Sequence, residues 1–181
     1  METINFTPFP VLTTNRLTLR QLTIEDKQNI FALRSDPPIN KYLEREPSKT
    51  IEDAIDFINK INDNNKNKNN NSIYWTISLT STKEFVGTIC LFDFSFENNS
   101  CEIGYELMTN FQGQGIMKEA VDVVIAYAFQ TLRLQKIVAF TNNKNLNSIK
   151  LLTKCNFLQF KEVDKENPES TVFTLTWPPL K

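Results

Sequence analysis

The chain has 181 residues, 40% of them hydrophobic and 23% charged, with a formal net charge of −1. That is one domain's length, read here as a single unit over 1–181, and enough to bury a core. Near-neutrality argues against a nucleic-acid binder working through bulk charge, and the longest unbroken apolar run, Val123 to Phe129, is too short to span a bilayer.

Residues Met1 to Asn5 lack the basic start and apolar stretch of a signal peptide, and Cys90, Cys101 and Cys155 form no CxxC pair. Both features suggest a reducing, cytoplasmic setting. The chain contains no histidine. This excludes His-based zinc sites, Ser-His-Asp triads and Cys-His pairs, and leaves proton transfer to carboxylates, Lys, Tyr, Cys, the termini or water.

In chain order, Leu17 to Arg20 alternates apolar and polar residues and predicts a strand. Thr23 with Asp26 three residues on predicts a helix entry. That helix runs to about Arg34, where Asp36-Pro37-Pro38 stops it. Thr50 opens a second helix with Ile51, Ala54, Ile55, Ile58 and Ile61 on one face. Asn64 to Asn71 holds six asparagines and predicts a mobile loop. Tyr74 to Leu79, Phe85 to Phe94 and Cys101 to Leu107 predict an antiparallel meander. A glycine-containing loop follows, then a long, nearly all-apolar helix from Ile116 to Leu134, with Arg133 suited to its C-terminal dipole. Lys136 to Thr141 predicts a buried strand, Leu146 to Lys154 a short helix, and Leu158 to Val163 and Thr171 to Thr176 closing strands. The expected class is α+β with a mixed, mostly antiparallel sheet.

The most specific local feature is Phe111-Gln112-Gly113-Gln114-Gly115-Ile116-Met117, which joins a strand to a buried helix. Amides at a helix start are unpaired, the dipole there is positive, and glycines let an anion approach the backbone. A phosphate suits that geometry. A dinucleotide fingerprint would need a third glycine where Lys118 stands, and the GxxxxGK[ST] of a Walker loop is absent. Alone, the glycines are better read as a tight strand-to-helix turn with no ligand.

Gln112 to Ala120 resembles the acetyl-CoA loop of the GNAT superfamily of N-acetyltransferases. Three further segments, colinear with it, resemble the RimJ/RimL branch of ribosomal-protein N-terminal acetyltransferases: Leu12 to Leu22 its LxTxRLxLR start, Glu102 to Leu107 its EIGYxL strand, and Asn145 to Phe157 its NxxS…LxxxGF segment. The resemblance spans roughly residues 9–177 and implies a GNAT fold, in which the fourth and fifth strands splay apart. It implies acetyl-CoA as cofactor. The pantetheine arm would meet backbone near Glu106, Leu107 and Thr109, acting as an extra strand where the sheet opens. The pyrophosphate would rest on the amides of Gln112, Gly113, Gln114, Gly115, Ile116 and Met117, with Asn145 contacting the cofactor from the next segment. Two positions depart from the pattern. Asn156 replaces a family glycine at a helix C-cap, where Asn is the next-best residue. Leu152 stands where many GNAT enzymes place a tyrosine that protonates the leaving thiolate.

Acetyl transfer to an amine needs a neutral amine, a stabilised oxyanion and a thiolate that can take a proton. A backbone N–H near Leu107 suits the oxyanion. Glu102 and Glu106 share a strand face and are the candidate bases, Glu102 first and Glu106 in reserve. A solvated strand carboxylate is the plain alternative for either. Ser148 can stand in for the missing tyrosine. A covalent intermediate on Cys101 is disfavoured, since nothing nearby lowers its pKa. The expected function is direct transfer of acetyl to a primary amine, either a protein N-terminus or a small molecule. A homodimer would match the family's habit, and no membrane or nucleic-acid partner is expected. The alternative is a CoA-binding module without turnover.

Overall fold

The structure, a computed structural model, describes residues 6–66, 71–160 and 168–177. Its strands are β1 (Leu12–Thr13), β2 (Leu17–Gln21), β3 (Ser72–Leu79), β4 (Phe85–Ser95), β5 (Ser100–Leu107), β6 (Lys136–Asn142), β7 (Leu158–Gln159) and β8 (Ser170–Thr176). They form one sheet in the order β1-β2-β3-β4-β5-β6-β8-β7. Every neighbouring pair is antiparallel except β5–β6, which is parallel. The helices are α1 (Lys27–Ser35), α2 (Pro37–Asn40), α3 (Ile51–Lys66), α4 (Ile116–Ala126) and α5 (Leu146–Lys154). None among the described residues is long and apolar enough to cross a membrane.

The period-2 alternation of the meander sorts its side chains onto two faces. Trp75, Ile77, Ile89, Leu91, Cys101 and Ile103 face α4 and α5 in the larger core. Tyr74 and Cys90 face the other way, towards Ile30 of α1 and Ala54, Phe57 and Ile58 of α3. Burying each such large apolar side chain contributes about 1.5–3 kcal/mol, so this two-faced pattern fixes the strand register.

The Thr23 entry forms as expected, but its first turn, Ile24–Asp26, is a 3-10 helix. The Thr23 N–H donates to Asp26 Oδ2 at 2.9 Å, and Arg20 grips the same buried carboxylate with both Nη atoms at 2.8 and 2.7 Å. Burial pushes the Asp26 carboxyl up, but Arg20 and the Thr23 amide outweigh it and hold the group below its ordinary range. Pro37 ends α1 and also starts α2 at its first position, because a proline there loses no helical hydrogen bond. Asn156 adopts φ 64° just past α5, the left-handed C-cap expected of it.

Three expectations need correction. The long helix ends its α-helical part at Ala126 and continues as a π-helical turn over Tyr127–Thr131. Arg133 lies beyond it at φ 59°, with its carbonyl accepting from Asn99 Nδ2, and the last turn itself holds no basic residue. The Asn-rich stretch is helical as far as Lys66; 67–70 lie outside the described residues, as does the strand expected beyond Phe160.

Strands β4 and β5 approach closely at Gly87. A Cβ on Gly87 would lie 2.2 Å from the Glu106 carbonyl oxygen, a backbone atom. Gly87→Ala is therefore expected to force the strands apart and cost about 1–3 kcal/mol, measured as a lower urea midpoint; an unchanged midpoint would show that the joint is loose.

Candidate active site

Strands β5 and β6 pair over only three rungs: Ser100 with Lys136, Cys101 with Ile137, and Glu102 with Val138. Beyond Glu102, β5 stays paired with β4 as far as Gly87–Leu107, while β6 keeps only β8, its partner along its whole length. The sheet is thus open on one side of β5 from Ile103 onward. Counted from β2, these are the fourth and fifth strands that the resemblance expects to splay.

Antiparallel pairing decides which main-chain groups face the opening. The Met108 N–H bonds to the Val86 carbonyl at 2.9 Å, so Met108 turns its polar groups towards β4. By alternation Glu106 does the same, whereas Tyr105 and Leu107 turn theirs to the opening. The Leu107 carbonyl accordingly accepts from Gln112 Nε2 at 3.2 Å. This corrects one expectation: Tyr105 and Leu107, not Glu106, offer backbone to an incoming arm.

The loop that follows is a short 3-10 turn, Thr109–Phe111, and then Gln112 to Gly115. Gly113 and Gly115 take φ 75° and 76°, a region where side chains are strained. The amides of Gly113, Gln114 and Gly115 make no backbone hydrogen bond among the described residues, but the Gln112 amide, expected in the same row, donates to the Thr109 carbonyl at 3.3 Å. Those of Ile116, Met117 and Lys118 are unpaired by helix geometry. A row of free amides at a positive helix end fits a diphosphate. The sequence did not reveal what holds this loop in place. Glu119, in the first turn of α4, accepts from Thr14 Oγ1, from the Arg16 N–H at 3.0 Å and from Arg16 Nε at 2.6 Å. Arg16 Nη1 also donates to the Gln114 carbonyl at 3.2 Å. Burial pushes the Glu119 carboxyl up, but Thr14 and Arg16 outweigh it and hold it down. The β1–β2 hairpin is thereby tied to the mouth of α4, with a cation beside Gly115.

The remaining expected residues fall around the opening. Asn145 caps α5, its Oδ1 accepting from the Ser148 N–H at 3.2 Å, which leaves its Nδ2 for a ligand. Ser148 Oγ lies 2.9 Å from the Tyr105 hydroxyl, across the gap from β5 to α5. Burial pushes the Tyr105 phenol up to about 12, eased slightly by Ser148. Thr109 Oγ1 donates to Asp36 Oδ2 at 3.0 Å, so it anchors the α1–α2 turn.

The two candidate bases differ sharply. Glu102 sits on the last rung before the strands part. It has no hydrogen-bond or ion-pair partner among the described residues, and burial, then Asp93, raise its pKa. Asp93 comes near because β4 bulges between Phe92 and Ser95, with Asp93 at φ 47°. Glu106 is clamped by Arg45 instead, Nη1 at 2.6 Å and Nη2 at 2.5 Å. That two-point ion pair removes it as a base. Arg45 is held in turn by Asn40 Oδ1, with Nε at 3.0 Å and Nη2 at 2.9 Å. Cys101 is buried and its thiol is pushed up to about 12, which leaves it inert as a nucleophile.

Residues 16–158 match the model of the Acetyltransferase (GNAT) domain. The chain belongs to the GNAT acetyltransferase family. It is an acetyl-CoA-dependent N-acetyltransferase, and the module without turnover is set aside. The chain is similar to the uncharacterized N-acetyltransferase YoaA of Bacillus subtilis, 36% identical over 82% of this chain and 83% of that one. Two solved structures share the fold. The spermidine N-acetyltransferase of Vibrio cholerae, in complex with CoA and spermine, superposes with a TM-score of 0.78, 20% identity and coverage of 92% and 98%. Mycobacterium smegmatis RimJ, in complex with CoA-disulfide, gives 0.77, 17% and coverage of 90% and 82%.

Two outcomes follow from this geometry. Gly115→Val places a β-branched residue at φ 76°, with Arg16 Nη2 3.7 Å from the new Cβ; it is expected to weaken CoA binding by calorimetry about tenfold or more while the far-ultraviolet circular dichroism persists. Unchanged affinity would remove the loop from the phosphate site. For Glu102, a raised folded pKa means that folding favours the protonated form. Its contribution to stability is full below the unfolded pKa and is lost as pH rises through the folded one. Glu102→Gln is therefore expected to flatten the fall in stability above the ordinary carboxylate range, read from urea midpoints against pH; an unaltered profile would mean that the group is solvated.

Proposed function

We propose that the chain acetylates a primary amine by direct attack within a ternary complex, as a member of the RimJ/RimL branch. The observation that carries this reading is the unpaired stretch of β5 running into a loop of free amides. Bound acetyl-CoA supplies an activated acyl group as a thioester. On this reading the Tyr105 and Leu107 main-chain groups hold the pantetheine arm as a strand would, and the amides of Gly113 to Met117 hold the diphosphate. Gln112 and Thr109 line the approach, and the Asn145 carboxamide nitrogen is the further polar contact.

The acceptor arrives on the α1–α3 face, where Glu102 stands unpaired at the point of parting. Glu102 takes a proton from the acceptor ammonium, directly or through water. Its raised pKa brings it closer to the working pH, as a base requires. A main-chain N–H of the open strand holds the oxyanion. Ser148, oriented by Tyr105, hydrogen-bonds the departing thiolate in place of the missing tyrosine, and the thiolate takes its proton from solvent.

Thiol release from acetyl-CoA across a panel of amines and peptides tests the assignment. Glu102→Gln is expected to lower kcat about 10²- to 10⁴-fold with CoA affinity intact. Undiminished kcat would contradict the role of Glu102, and no thiol release with any acceptor would contradict the reading as a whole.

A further inference from the structure

The acceptor face carries a charge imbalance that the chain itself does not resolve. Arg34, at the end of α1, lies with its guanidinium 3.9 Å above the Phe57 ring. Its Nε is the one buried side-chain nitrogen or oxygen without a hydrogen-bond partner among the described residues. The acceptors of Glu106, Asn40 and Tyr74 are already engaged by other groups. Both Glu106 oxygens are held by Arg45, Asn40 Oδ1 is held by Arg45 as well, and the Tyr74 hydroxyl is bonded to Thr88 Oγ1 at 3.0 Å. Two guanidiniums therefore stand beside a single carboxylate. The imbalance shows in Arg34 itself: burial, then Arg45, lower its pKa, only partly offset by Glu106.

The backbone locks this arrangement to the site. The Arg34 carbonyl accepts from Asn40 Nδ2 and from the Ser48 N–H, each at 3.0 Å. The segment that presents Arg45 is thus fastened to the end of α1 and, through Glu106, to the open half of β5. Glu106 and Glu102 share a strand face, about 13 Å apart along the strand. An anion received at Arg34 would lie near Glu106, on the strand face that Glu102 shares.

A buried guanidinium Nε without a hydrogen-bond partner is costly, and the planar donors of an arginine match a carboxylate or phosphate. We propose that the acceptor is a small amine that also carries a carboxylate or a phosphate, and that Arg34 binds this anionic group. The inference rests on the acetyl-transfer reading and narrows its substrate class. Polyamines, which carry positive charge alone, are disfavoured.

The test compares matched acceptors by thiol release: ω-amino acids of increasing chain length against their amides, and aminoalkyl phosphates against the corresponding amino alcohols. Anionic members are expected to exceed their neutral partners about tenfold or more in kcat/KM. The better of the two series identifies carboxylate or phosphate as the group bound. Arg34→Gln is expected to bring the anionic-to-neutral ratio close to one, and Arg34→Lys to restore part of it. Equal turnover of the matched pairs, or a ratio that survives Arg34→Gln, overturns this inference alone. An absence of thiol release from every member while CoA still binds overturns the transfer reading, and this inference with it.

Discussion

The site depends on where pairing stops between β5 and β6. Three rungs hold the two strands together, and from Ile103 onward one side of β5 has no strand beside it. Main-chain groups left unpaired in a folded protein are costly unless something meets them. At the Leu107 carbonyl a glutamine side chain does so, and it is a partner that can be exchanged. The opening is therefore a strand-shaped vacancy with its hydrogen-bonding pattern already set. The rest of the molecule keeps it open: β4 fixes β5 from behind, and β8 takes the far side of β6.

Two ion pairs frame this vacancy and serve different ends. Arg16–Glu119 ties the first hairpin to the start of α4 and fixes the amide row. Arg45–Glu106 ties the segment after α2 to the open strand. The second pair is the more buried, and removing one partner from such a pair strands a charge. It consumes the carboxylate nearer the open end and leaves Glu102 as the unpaired one. A division of labour between two glutamates on one strand thus arises from the placement of one arginine.

Much of the fold was legible because it is written in local periods. The meander strands alternate, α3 and α5 keep helical spacing, and Asn156 marks a left-handed cap. The loop before α4 was legible because glycine at positive φ leaves a trace in the sequence. The segment that brings Arg45 to Glu106 was not. Residues 41–50 have no period, and Arg45 meets a carboxylate 61 positions away. Nothing local to Glu106 signalled its commitment, so it stood level with Glu102 in face and residue type. The π-helical turn after α4 was hidden for a related reason, since an apolar run does not distinguish one helical hydrogen-bond step from another.

Amide hydrogen exchange with and without CoA tests the central claim most directly, because it reads the main-chain groups on which the account rests. Added CoA is expected to slow exchange at Tyr105, Leu107 and Gly113 to Met117, with little change at Glu106, already paired with β4. Binding of CoA that leaves those amides exchanging as before would contradict the account.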